Sequence, residues 1–264
     1  MRGSSWHPGP VPRDAFPVRP GWDDAVVLEE IDAVNWGDLP GPRDLYEPDR
    51  VATGLRALAT ATGLVRAADA GSLLAGGGLV HDHSGAVFPA VVTAAPILLA
   101  IVRDGHPDAG ATALGLLDDA LAFAVCDRRT RVATSYAEAV PLCCALADHL
   151  RRHAGLLAAS GAEGRWLLAD AAHHWKFDVQ EAVTDGDGAA AFGVLAGRFP
   201  GGTQPAELHR AGRVTPLAVQ VTPHYPLSSH SPDACLSIDG AQLDDVAPPA
   251  VLLPSGCNSG QADR

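Results

Sequence analysis

Proline is the feature that most constrains this chain: eight lie in residues 1–50, five in 51–200 and eight in 201–264. A proline inside a helix removes an N–H donor and clashes with the preceding turn, so long helices are expected only in the middle, residues 51–200. There the apolar residues recur at three and four. The period predicts helices from Asp49 to Ala61, Leu64 to Ala75, Ala86 to Val102, Pro107 to Phe123, Val132 to His153, Glu163 to Val183 and Gly188 to Arg198. Residues 1–21 read as an extended arm and 22–200 as one helical domain. Residues 201–264 read as a Pro-rich tail, extended or disordered, in which 214–221 and 234–238 can pair as a small hairpin.

Composition narrows the partners. Aromatic residues make up 5% of the chain, so its core must be built from Ala, Leu and Val, which suit close helix packing. The net charge of −12 comes without any basic island, which argues against nucleic acid and leaves a basic protein or a small molecule as partner. Lys176 is the only lysine, the mark of a G+C-rich bacterial genome. The uncharged run from Gly85 to Val102 contains two prolines and is followed by Arg103-Asp104, so it reads as a buried core helix and not a membrane span. Five cysteines with no CxxC spacing read as reduced thiols in a cytoplasm, with Cys143 and Cys144 as small apolar fillers about 100° apart on a helix. No cofactor or metal is expected. The N-terminus, with five prolines in its first 20 residues and no apolar core, is not a signal peptide.

Two stretches echo each other. Residues 94–101 align with 139–146 at an offset of 45, and 116–120 align with 167–171 at an offset of 51. A period in the mid-forties built from two helices is the length of a HEAT unit. The runs DRVATGLRALATATG (49–63), GLVHDHSGAVFPAVVTAAPILLAIVRDG (78–105) and ALGLLDDALAF (113–123) resemble a group of actinobacterial HEAT-repeat proteins. The resemblance covers roughly residues 25–200. It implies an all-α fold, a superhelix of stacked helix pairs, and no established activity.

Candidate site residues follow from that helical reading. Asp170, His174 and Asp178 are spaced i, i+4, i+8, with Glu181 at i+11. On one helix they would form a stripe placing a carboxylate one turn to either side of His174, an arrangement suited to acid–base catalysis. Trp166 and Trp175 could stack on a ligand beside them. His81 and His83 flank Asp82 in a run that either caps the following helix or touches a ligand. The expected function is a helical-repeat module that binds a protein partner on its concave face. The alternative is a cofactor-independent lyase or cyclase, from secondary metabolism for instance, working around His174.

Overall fold

The computed structural model describes residues 24–126, 129–221 and 233–257; the arm read at 1–21 and residues 258–264 lie outside it. The helical part begins with α1 (Asp24–Asp32), α2 (Pro48–Ala59) and α3 (Leu64–Ala75). A two-residue hairpin, β1 (Val80–His81) and β2 (Ala86–Val87), leads into α4 (Ala90–Asp104) and α5 (Pro107–Cys126). A second small hairpin, β3 (Arg131–Val132) and β4 (Val140–Pro141), precedes α6 (Leu142–Arg152), α7 (Ala154–Ala159) and α8 (Gly161–Ala172). The uncharged run becomes α4, with Pro89 just ahead of it and Pro96 inside it, and Leu98, Leu99 and Ile101 are buried as expected. Among the described residues one helix, α5, is long and apolar enough to cross a membrane. More than half of its apolar window is buried within the protein, which is compatible with a soluble chain.

The all-α expectation fails after Ala172. Strands β5 (Lys176–Asp185), β6 (Gly188–Ala196), β7 (Thr203–Arg210), β8 (Arg213–Val221), β9 (Asp233–Ile238) and β10 (Ala250–Pro254) close an antiparallel barrel in the order β10-β5-β6-β9-β8-β7. A short helix, α9 (Leu243–Val246), precedes β10. The architecture is a helical layer joined to a six-stranded barrel, and the described residues form no all-α superhelix of helix pairs. Strands β5 and β6 fall inside the segment expected to be helical. The segment read as an extended or disordered tail supplies four more strands, with β8 and β9 pairing as the hairpin reading anticipated. The echo at offset 45 is not a structural repeat either: residues 94–101 lie wholly in α4, whereas 139–146 cross from β4 into α6.

Strand β10 joins the two layers. Both faces of its five residues, AVLLP, are buried. Ala250 and Leu252 point into the barrel core with Trp175, Phe177 and Leu236, while Val251 and Leu253 join the helical core. Period-2 alternation thus divides one strand between two cores. Such a strand shows no polar face, so its apolar run carries no periodic signal.

Candidate metal centre

The described elements bring three cysteines and one histidine together at the seam between the layers. Pro141 is extended and starts α6, which places Cys143 and Cys144 in the first turn of the helix. Their side chains diverge around the axis, yet Cys257, three residues beyond β10, lies over that turn and reaches both. Its Sγ is 3.1 Å from Cys143 Sγ and 3.4 Å from Cys144 Sγ. His174 arrives from the turn between α8 and β5. The helix closes there with short bonds from His173 N–H to the Asp170 carbonyl and from His174 N–H to the Ala171 carbonyl. Arg151 Nη1 donates to the carbonyls of Ala171 (3.0 Å) and His174, which clamps that turn onto α6.

The ligand atoms of Cys143, Cys144, His174 and Cys257 all lie within 4.8 Å of one another, and all four residues are buried. A tetrahedral zinc site with Zn–S near ~2.3 Å and Zn–N near ~2.0 Å has ligand–ligand edges of about 3.3–3.8 Å, so these side chains need only small shifts to close on an ion. His174 is 2% exposed and its Nδ1 has no hydrogen-bond partner. A buried unpaired ring nitrogen is costly unless something binds nearby to fix the ring.

Electrostatics at the cluster split the three thiols, lowering one and raising two. Hydrogen bonding with Cys144 and then Cys257 lowers the Cys143 thiol below its ordinary range, aided by His174 and opposed by burial. The same sharing pushes the other two thiols up, Cys144 through Cys143 and then Cys257, and Cys257 through Cys143. The three sulfurs share their protons in one hydrogen-bonded set, and a bound cation would take the place of those protons. Arg131 and Arg151 both sense the sulfurs electrostatically. Two Arg131 nitrogens each donate to a different carboxylate oxygen of Glu207 on β7, at 2.7 Å. The Glu207 carboxylate also meets His209 Nε2 at 3.3 Å.

Among the described residues, the buried side-chain atoms with no hydrogen bond are Tyr136 Oη, Arg151 Nε, His174 Nδ1 and His209 Nε2. Each belongs to the cluster or to the ring of groups coupled to it. Burial raises the Tyr136 phenol, and charges on Asp148 and Cys144 raise it further.

The other predicted site residues are dispersed. His174 is buried as a candidate site residue, but α8 ends at Ala172 and Asp178 lies on β5, so no stripe runs through Asp170, His174 and Asp178. Asp178 faces Lys176 Nζ at 3.1 Å, and Glu181 is exposed beyond a bulge in β5. Trp175 is packed in the barrel with its ring centroid 5.1 Å from that of Phe199, while Trp166 is 60% exposed on α8. His81 and His83 belong to the β1–β2 turn, where His81 Nδ1 lies 2.8 Å from Ser84 Oγ and Asp82 accepts from His83 N–H. They line a cleft of ≈ 620 Å³ between α3 and α5 and take no part in the cysteine cluster. Sequence reasoning missed the cluster because its spacing, two adjacent cysteines with partners 30 and 113 residues from the second, matches no short metal motif. The legible clue was a vicinal cysteine pair two residues after Pro141.

No family model matches the chain, and neither the curated proteins nor the solved structures contain a match.

His149, on α6, makes the fold acid-sensitive. Burial, and then the Arg152 charge, lower His149 from 6.5 to about 4. Its folded value lies below its unfolded one, so its neutral form is favoured in the native state. Stability is intact above pH 6.5 and falls as acid charges the unfolded chain first. Thermal melts of the wild type should lose about 2–4 °C more between pH 6.5 and 4 than melts of His149→Gln, the equivalent of roughly 1 kcal/mol for a partly open ring. Equal slopes would remove His149 from the account.

Proposed function

We propose that this chain is a metal-binding protein, with Cys143, Cys144, Cys257 and His174 holding one zinc ion that fastens the barrel to the helical layer. The observation that carries the reading is the convergence of four buried ligand atoms from three separate chain segments within 4.8 Å. Cysteine and histidine in tetrahedral number suit zinc, and a cage with four protein ligands and no open position is of the structural kind. Three thiolates, a neutral imidazole and Zn²⁺ carry a net −1, and the neighbouring Arg131 and Arg151 offset it. The partner-binding role expected from the sequence loses its concave face with the corrected fold, so the metal centre is the better-supported basis for function.

The test is cobalt substitution with metal analysis. The reduced, metal-free full chain should take up about one Co²⁺, show tetrahedral visible bands with thiolate charge transfer, and release it to zinc. Cys143→Ser and His174→Ala should each weaken uptake by about 10-fold or more. A chain that binds neither ion above background overturns the reading.

A second reading, a thiol enzyme, rests on Cys143 lying in one buried cluster with His174, which helps lower its thiol. It predicts rapid alkylation of Cys143 by iodoacetamide that zinc does not slow. The metal cage predicts protection.

A further inference from the structure

The cage holds its sulfurs closer than a zinc site requires. Cys257 Sγ lies within 3.4 Å of both helix cysteines, and a disulfide needs only about 2.05 Å. Cys257 is the most open of the three at 8% exposed, and it follows two exposed residues, Ser255 and Gly256. A Cβ built on Gly256 would meet nothing within 4 Å, so no neighbouring group packs over that position just ahead of Cys257. Cys143 and Cys144 are fixed in the first turn of α6 and diverge by about 100°, which disfavours a bond between adjacent helical residues. The nearer partner for Cys257 is therefore Cys143. Cys126, at the exposed end of α5, and Cys235, in the barrel wall, are not part of the cluster.

We propose that this centre is an oxidation site for hydroperoxides, switching from a zinc cage to a Cys143–Cys257 disulfide that expels the metal. The proposal rests on the metal-binding reading above. In the first step Cys257, a thiolate when it ligates the zinc, attacks the terminal oxygen of the hydroperoxide. The O–O bond breaks, Cys257 becomes a sulfenic acid, and the leaving oxygen takes a proton to depart as alcohol, or as water from hydrogen peroxide. In the second step the Cys143 thiolate attacks the Cys257 sulfur and displaces hydroxide, which is protonated to water. Two thiolates lose two electrons and the hydroperoxide gains them. Zinc has no redox role in either step, but the cage is left with Cys144 and His174 alone, and two ligands do not retain the ion. The disulfide then ties the segment after β10 to α6, so the layers stay joined after the metal has gone. A dithiol reductant reverses the change by thiol–disulfide exchange.

The experiment uses the full-length Cys126→Ser chain, which removes the exposed thiol that would otherwise link two molecules. Zinc content of the reduced protein is measured first. One equivalent of hydrogen peroxide is then added while a chromogenic chelator reports free zinc, and the product is mapped by mass spectrometry without reduction. The expected result is release of about one zinc per chain, a linked Cys143–Cys257 peptide pair, and recovery of zinc binding after dithiothreitol. A reduced chain that holds no zinc overturns the metal reading and the switch with it. A zinc-loaded chain that keeps its zinc, or loses it with only sulfinic acids or a Cys143–Cys144 bond, overturns the switch and leaves the metal reading standing.

Discussion

If the cage holds zinc as proposed, stripping the ion from the reduced protein should lower its melting temperature by about 8–16 °C. A ligand present at about 1,000 times its dissociation constant stabilises the native state by about 4 kcal/mol, and a chain of this size shifts by about 2–4 °C per kcal/mol. The effect is concentrated at the seam. The cage joins the first turn of α6, the end of α8 and the segment after β10, so losing the ion frees three chain segments together. Scanning calorimetry with and without a chelator checks the shift. Cys143→Ser should melt near the stripped wild type and respond little to the chelator, because its site no longer closes. Hydrogen exchange adds a local readout: amides around Val251 and Leu253, which pack into the helical core, should lose protection before those of the far barrel strands. If the chelator leaves the wild-type melt unchanged, the ion does not hold the layers together.

Replacing Gly193 with alanine opens the barrel, at a cost of about 3 kcal/mol or more. Gly193 sits in β6 opposite Val179, where β5 bulges between Val179 and Glu181. The bulge turns the Asp178 carbonyl toward Gly193, and an added Cβ would lie inside the contact distance of that oxygen. The obstacle is backbone, so it has no rotamer by which to retreat. Relief requires moving the β5–β6 ladder, which is among the most extensive pairings in the barrel, with nine residue pairs. Because β5 leads directly from His174, the shift should reach the metal centre as well. Urea unfolding of the zinc-loaded proteins measures the stability loss, and cobalt uptake should weaken alongside it. A Gly193→Ala protein with unchanged midpoint and slope would show that the sheet gives way there at no cost.

The helical half was legible because it is amphipathic on a sustained period. Boundaries at α2, α3 and the body of α5 follow the apolar spacing closely, and the burial of Leu98, Leu99 and Ile101 follows from an uncharged run. The barrel was obscured by its own composition. Strand β6 reads GAAAFGVLA, small residues that fit a narrow interior yet look like helix formers. Strand β5 carries Asp178 four residues after His174, and the eye continues the helical period across a boundary that lies at Ala172. One signal was available there. Asp185-Gly186-Asp187-Gly188 joins β5 to β6, with Gly186 at φ +57, and an Asp-Gly turn between apolar runs marks a hairpin.

What the sequence determined by itself is local: which segments are amphipathic helices, where prolines forbid them, and which side chains have chemistry to offer. Those properties depend on neighbours a few residues apart, and the periods of 3.6 and 2 record them. What only the tertiary structure decided is who meets whom. Strand β10 became the joint between two cores because each of its faces found a different layer, and nothing in AVLLP states which. Cys143, Cys144, His174 and Cys257 became one site because a helix start, a helix end and a strand exit were packed at the same seam. Contacts across 30 and 113 residues are selected by the burial of whole layers, a free energy that belongs to no short stretch of the chain.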